Sequence, residues 1–280
     1  MAILDCNGKK IDLSRPAVMG ILNLTPDSFY DGGFYMTIED QLKHTEQMIE
    51  EGASIIDMGA ISTRPGSTEV SESEELSRLL PSLNAIRRQF PEVVLSVDTF
   101  RSNVARTAAE QGADMINDIY GGRYESAMFE TIAALGLPYI LMHMDQIPMT
   151  MQQNPKYGDV VAEVAFFFDR QITRLRGLGF YKIILDPGFG FGKTIRHNYQ
   201  LLHRLDEFRK PGYPLLVGIS RKSMINKVLA IQASQALNGT TVLNTIALLK
   251  GADILRIHDV REAVEAIRLV GEMKRVTSDE

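Results

Sequence analysis

Cysteine is almost absent from the 280 residues: Cys6 stands alone, which excludes an internal disulfide framework and any cysteine-rich metal site. The paired histidines of a helix-borne metal site are missing too, as is any His/Cys cluster. No apolar run reaches the length of a membrane span, and no basic region followed by an apolar stretch opens the chain. A soluble, cytoplasmic protein with no membrane partner is therefore expected. The net charge of −5 offers no broad attraction to nucleic acid, so phosphate recognition has to come from locally placed Arg and Lys. No linker divides the chain, so a single domain over 1–280 is expected, and 45% hydrophobic residues can supply a large core.

What is present is a repeated unit. Ile183-Ile184-Leu185 runs into Asp186, and Pro187 with Gly188, Gly190 and Gly192 stops the strand and lets backbone come close to a ligand. Apolar runs also end at Asn23, Asp57, Asp98, Asn117, His143, Ser220 and His258, each followed by a turn and a helix-like segment. The patterns predict strands over 18–22, 55–58, 93–97, 115–116, 139–142, 183–185, 215–219 and 254–257. They predict helices over 39–51, 71–89, 102–111, 125–135, 159–175, 199–208, 234–249 and 262–274, with Ser71 and Glu74 forming a capping box. Residues 1–15 read as a short β-hairpin about Asn7-Gly8, outside the main fold. The fold class is α/β: a single (β/α)8 TIM barrel with a short N-terminal β-hairpin. An open doubly wound sheet would put its Gly-rich turn after the first strand and scatter the polar strand ends along an edge.

A closed barrel gathers those ends at one mouth, where Asn23, Asp98, Asn117, Asp186, Lys222, Arg256 and His258 converge. Asp98, Asn117 and Asp186 offer mostly acceptors with one amide donor pair, which suits a flat heterocycle presenting N–H and NH₂ edges. One strand-end carboxylate alone reads as a cap for the next helix; three at one mouth argue for a site. Lys222, Arg256 and Arg64 bring the opposite charge, and Arg256 and His258, two apart on a strand, can address one anionic group. His44, His197 and His203 read as surface or packing residues, and His143 stays open. The stretch from Pro187 to Thr194 is no phosphate-binding P-loop, because Pro187 stands where that pattern needs its first Gly. A hard cation held chiefly by substrate phosphates, with one amide oxygen such as that of Asn23, is compatible with the sequence.

Eight motifs, in order along nearly the whole chain, resemble the dihydropteroate synthases, the folate-pathway targets of sulfonamides. They are Met19-Gly-Ile-Leu-Asn-Leu-Thr-Pro-Asp-Ser-Phe-Tyr-Asp-Gly-Gly33, Asp57-Met-Gly-Ala-Ile-Ser-Thr-Arg-Pro-Gly66, Ser96-Val-Asp-Thr99, Ile116-Asn-Asp118, Leu141-Met-His-Met144, Asp186-Pro-Gly-Phe-Gly-Phe-Gly-Lys193, Gly218-Ile-Ser-Arg-Lys-Ser223 and Arg256-Ile-His-Asp259. The resemblance implies condensation of 6-hydroxymethyl-7,8-dihydropterin pyrophosphate with p-aminobenzoate, with Mg²⁺ as cofactor and a homodimer as the assembly. It assigns the catalytic set Asp98, Asn117, Asp186, Lys222, Arg256 and His258. The pterin would meet Asp98, Asn117, Met142, Asp186, Phe191, Lys222 and Arg256. Pyrophosphate would be held by Asn23, Thr63, Arg64, Arg256 and His258, with Asn23 also the protein ligand of Mg²⁺. For p-aminobenzoate the implied residues are Phe29, Pro65, Phe191, Lys222 and Ser223. The family's order of events is dissociative, pyrophosphate leaving before the amine attacks. The uninterrupted Arg64-Pro65-Gly66 turn implies ordinary sulfonamide binding, and no fused pterin kinase or aldolase domain is expected. Tyr120 and the stretch Asp145-Gln146-Ile147-Pro148 depart from the family pattern and bear on loop shape.

Two other readings differ in their residue needs. A pterin-binding methyl-transfer module has no use for Arg64, Lys222, Arg256 and His258 together. An aldolase-type barrel would use Lys222 as a Schiff-base amine, with Arg221 depressing its pKa.

Overall fold

The computed structural model describes residues 3–25, 37–61, 70–144 and 157–278. Its first element is the hairpin of β1 (Ile3–Cys6) and β2 (Lys9–Asp12), turned by Asn7 and Gly8 at φ 54° and 87°, the left-handed pair that a two-residue hairpin loop requires. The hairpin is part of the main body, contrary to the sequence reading. Leu4, Cys6 and Ile11 are buried against Met19, Ile55, Val94, Met115, Ile140, Ile184, Leu216 and Ile254, so its apolar face plugs the floor of the barrel.

Those eight floor residues come from eight parallel strands: β3 (Ala17–Asn23), β4 (Ile55–Gly59), β5 (Val94–Asp98), β6 (Met115–Asp118), β7 (Tyr139–Met142), β8 (Ile183–Asp186), β9 (Leu216–Val217) and β10 (Ile254–Ile257). They pair in the order β8-β7-β6-β5-β4-β3-β10-β9. The ring is closed by a parallel bridge from Leu185 to Leu215 and by the Leu185 N–H donating to Pro214 O at 2.8 Å. Strand side chains alternate between inside and outside. Val18, Leu22, Ile56, Met58, Leu95, Val97, Ile116, Leu141, Leu185 and Leu255 therefore point out, into the apolar shell beneath the helices.

That shell is covered by α1 (Ile38–Glu51), α2 (Glu72–Gln89), α3 (Ser102–Glu110), α4 (Met128–Leu135), α5 (Val160–Gly177), α6 (Ile195–His203), α7 (Ser223–Leu229), α8 (Leu237–Leu249) and α9 (Val260–Ser278). Ser71 caps α2 by accepting the Glu74 N–H, but the Glu74 carboxylate pairs with Arg78 instead of completing the box. Helix α4 starts later than the pattern suggested, because Glu125 turns away to accept the N–H of Ser102 at 2.8 Å and so caps α3. The predicted helix over 199–208 is α6 followed by a 3-10 turn at Leu205–Phe208. Strand β9 keeps only two ladder residues of the predicted five, since Ile219 O already accepts the Lys222 N–H in a turn.

Candidate active site at the C-terminal mouth of the barrel

Two residues along each strand from the apolar floor, the inward side chain belongs to the next layer up. At that step Ile55 is followed by Asp57, Val94 by Ser96, Met115 by Asn117, Ile184 by Asp186 and Ile254 by Arg256. An apolar floor thus carries a polar, mostly buried layer. Arg256 donates through Nε to Asp57 Oδ2 at 2.7 Å and through Nη2 to Asp98 Oδ2 at 3.3 Å, while Asn117 Nδ2 donates to the same Asp57 oxygen at 3.1 Å. Asp57 Oδ1, Ser96 Oγ and Asn117 Oδ1 are buried with no hydrogen-bond partner among the described residues. Buried polar atoms left in that state are expensive, and these three lie in one layer on the neighbouring strands β4, β5 and β6.

The glycine run after β8 shapes the next part of the wall. Gly188 has φ +70°, and a Cβ there would stand 2.0 Å from His143 O, so only glycine fits. Its N–H donates to Asp186 Oδ1 at 2.7 Å. Lys193 Nζ donates to the carbonyls of His143, Gly188 and Phe191 at 3.2, 2.9 and 3.0 Å, bracing the turn. Lys222 donates to Phe189 O, and its ammonium lies 4.6 Å from the centre of the Phe191 ring. Phe191 belongs to an apolar patch with Phe100, Ile119, Tyr120, Met142 and Met144. The unusual Tyr120 is thus a wall residue, edge-on to Phe100 with ring centres 4.8 Å apart.

The charges in this enclosure are perturbed. Burial, reinforced by Asp57, pushes the Asp98 carboxyl up to about 7 in spite of Arg256. Burial also raises Asp186, against Lys222 and the Gly188 N–H. Burial, with Arg256 nearby, brings Lys222 down to about 8, Asp186 opposing. His258 is brought down to about 3 by burial and then by Arg256, so its ring is neutral near pH 7. Its Nδ1 lies 2.9 Å from Ser220 Oγ.

Of the residues expected from the sequence, Asp98, Asn117, Asp186, Lys222 and Arg256 come together in one network, with Met142 and Phe191 beside them. Asn23 ends β3 close to Asp98: a Cβ on Gly59 would lie 3.9 Å from Asp98 Oδ2 and 4.0 Å from Asn23 Oδ1. Ser223 is exposed at the start of α7. Phe29, Thr63, Arg64 and Pro65, with the departing stretch 145–148, lie outside the described residues. His143 is buried, and burial with Lys193 and Arg123 holds its ring well below the usual range. His197 completes the capping box of α6, its Nδ1 accepting the Thr194 N–H at 3.3 Å.

The sequence reading missed Asp57 as a site residue. It was legible as a strand end, and the need of inward-facing Arg256 for a buried counter-charge was the signal that could have singled it out.

Comparison with known proteins agrees with this geometry. The family described as "Pterin binding enzyme" matches residues 19–258. Dihydropteroate synthase of Escherichia coli (strain K12) is 51% identical over 269 residues, 95% of each chain, and that of Haemophilus influenzae is 46% identical over 268 residues, 95% of this chain and 97% of the other. The crystal structure of Yersinia pestis dihydropteroate synthase with a sulfonamide drug complex superimposes with a TM-score of 0.93 at 45% identity, covering 98% of this chain and 99% of the other. Burkholderia cenocepacia dihydropteroate synthase complexed with 7,8-dihydropteroate gives 0.88 at 37% identity, covering 100% and 99%. Matched along nearly its whole length in both sequence and fold, the chain belongs to the dihydropteroate synthase family of pterin-binding enzymes.

Proposed function

We propose that this chain joins 6-hydroxymethyl-7,8-dihydropterin pyrophosphate to p-aminobenzoate, giving 7,8-dihydropteroate and pyrophosphate, and that sulfonamides compete for the p-aminobenzoate position. The observation that carries the reading is the polar layer above an apolar floor, in which Asp57, Asn117, Arg256 and the partly exposed Asp98 form one hydrogen-bonded network. A pterin presents N–H and NH₂ donors along one edge and would satisfy such a layer. Asp98, Asn117 and Asp186 take that edge, Lys222 donates to its acceptors, and Met142 and Phe191 lie against the ring. Arg256 is partly exposed above Asp57 and Asp98 and can reach both the ring and the phosphates.

The bond between the pterin methylene carbon and the bridging oxygen breaks with its electron pair leaving on pyrophosphate. The amine then forms the new C–N bond and loses a proton. Carboxylates beside the ring favour the cationic methylene pterin, while Arg256, His258 and Arg64 favour the departing anion, with Asn23 and Thr63 completing its cradle. Ser223, Lys222, Phe191, Phe29 and Pro65 take the benzoate side.

For Mg²⁺ the donor set is one-sided. Among the described residues no group of three or more His, Cys, Asp or Glu could hold a metal, and the amide oxygen of Asn23 stands at the mouth near Asp98. This suits a hard cation held by Asn23, water and substrate phosphates, and such an ion would offset charge on the leaving pyrophosphate.

The test is pyrophosphate release from purified protein with the pterin substrate and Mg²⁺, with and without p-aminobenzoate. Release with both substrates, matched by dihydropteroate, supports the reading, and slower release without the amine supports pyrophosphate leaving first. Bound pterin with no release in either case would instead support a binding module.

The shifted groups predict a bell-shaped dependence of kcat/KM for the pterin substrate. As pH falls through about 7, Asp98 gains a proton and no longer favours the cation; as pH rises through about 8, Lys222 loses one. Asp98→Asn should abolish the acidic limb of the profile, and its survival would refute the assignment.

A homodimer, in a cytoplasmic setting, is part of the same proposal. Val242, Ile246 and Leu249 on α8 and Leu269, Met273 and Val276 on α9 are exposed at helical spacing on two helices that pack together, apolar surface suited to a second copy. No described helix is long and apolar enough to cross a membrane. Leu269→Glu, at a site 74% exposed, should yield monomers by sedimentation with an unchanged far-ultraviolet circular dichroism spectrum, and should remove any dependence of the melting temperature on protein concentration.

A further inference from the structure

The segments that follow β9 and β10 bind each other residue for residue. Ser220 Oγ lies 2.9 Å from His258 Nδ1 and accepts the His258 backbone N–H at 3.2 Å. One residue on, Arg221 donates through Nε to Asp259 Oδ2 at 2.8 Å and through Nη2 to Oδ1. Arg221 Nη1 donates to the carbonyls of Ala233 and Ser234 at 3.2 and 3.0 Å, and its backbone N–H, at a left-handed φ of 55°, donates to Thr240 Oγ1 at 3.0 Å. Non-glycine residues adopt that backbone only where the surroundings enforce it, and here five bonds do so. The result is a rigid clamp between the segment carrying Lys222 and the one carrying His258.

A serine hydroxyl has one proton to donate and two lone pairs. The His258 amide already uses a lone pair of Ser220, and the hydroxyl proton is well placed to reach the imidazole. We propose that Ser220 is a positioning residue for the leaving group: its hydroxyl donates to His258 Nδ1 and so holds the ring as the Nε2–H tautomer, which donates to the departing pyrophosphate. This rests on the reading of His258 as a pyrophosphate ligand given above. The tautomer matters because the ring is neutral. With the proton on Nδ1, Nε2 would turn a lone pair toward an anion and repel it; with the proton on Nε2, the same atom is a donor. The Arg221–Asp259 pair keeps Ser220 and His258 in register, so the bond does not depend on either side chain alone.

The experiment is nitrogen-15 NMR of the histidine-labelled full chain near pH 7, with His258 assigned through His258→Gln, together with steady-state kinetics. The wild-type ring is expected to show an unprotonated Nδ1 and a protonated Nε2. Ser220→Ala should move both signals toward averaged values and lower kcat/KM for the pterin pyrophosphate about 10- to 100-fold, the worth of one hydrogen bond to a charged group. The KM for p-aminobenzoate should stay within about twofold, and Ser220→Thr, which keeps the hydroxyl, should recover the tautomer and most of the activity. A wild-type ring protonated at Nδ1 overturns the proposal, as do unchanged signals and kinetics in Ser220→Ala. If His258→Gln leaves the kinetics of the pterin pyrophosphate unchanged, the pyrophosphate reading of His258 fails as well. The wild-type spectrum decides the tautomer even if Ser220→Ala does not fold.

Discussion

Asp57→Ala should lose stability and turnover together. The Asp57 side chain is fully buried, and one of its oxygens accepts from both Arg256 and Asn117. Removing it strands a guanidinium N–H and an amide N–H in the layer above the apolar floor. Breaking a buried ion pair from one side costs about 3–5 kcal/mol. Arg256 is one-fifth exposed and keeps Asp98, so the lower end, about 3 kcal/mol, is expected. For a chain of this size that lowers the melting temperature by roughly 6–12 °C. Held by Asp98 alone, Arg256 loses its fixed position, and kcat/KM should fall about 10³-fold, since misplacing a positioned group by an ångström is already worth about 10²-fold. Asp57→Asn, which keeps the volume and one acceptor, should fall between. Thermal denaturation alongside kinetics checks both halves. A melting temperature within about 1 °C of the parent would show that the Asp57–Arg256 pair is not the keystone of the layer.

Asp186→Asn separates chemistry from folding. The amide has the shape of the carboxylate, and its oxygen can still accept the Gly188 N–H that sets the turn. What goes is the charge facing Lys222, together with the second accepting oxygen, which becomes an NH₂ donor. On the proposed reading an amide NH₂ in that place would meet the donor edge of a pterin with another donor, and sites built to hydrogen-bond lose about 10³- to 10⁴-fold when a polar partner is mismatched. kcat/KM for the pterin substrate should fall by that amount while the melting temperature holds within about 2 °C. With less negative charge beside it, Lys222 should shed its proton at lower pH, moving the alkaline limb of the pH profile down. Unchanged turnover in Asp186→Asn would remove Asp186 from the site.

The barrel was legible because its determinants are local and repeated. Each strand is a short apolar run with a polar end, and several helices carry readable caps, as with Thr37 and Gly52 around α1 and Ser71 before α2. The hairpin turn at Asn7-Gly8 was readable for the same reason, since few other dipeptides accept two left-handed residues. Less legible were segments whose groups bond far along the chain. Glu125 looked like the start of a helix and instead caps α3; the strand around Leu216 stops early because the following turn is drawn into the clamp with His258 and Asp259. Propensity speaks for neighbours in sequence and is silent about partners 23 or 38 residues away.

The candidate site divides in the same way. Asp98, Asn117, Asp186, Lys222 and Arg256 stood out as charged or amide groups at strand ends, where burial without a purpose would be unfavourable. The sequence by itself determined the strand ends, the glycines of the turn after β8 and hence the family, because residue type and spacing carry those. Tertiary structure alone decided that Asp57 anchors Arg256, that Ser220 meets His258, and that Lys193 braces a loop instead of facing the mouth. It also decided that Asp98 and Lys222 titrate near neutral pH. The physical reason is that pairing and desolvation depend on distance and dielectric in three dimensions, and barrel closure places side chains 199 residues apart within a hydrogen bond of one another.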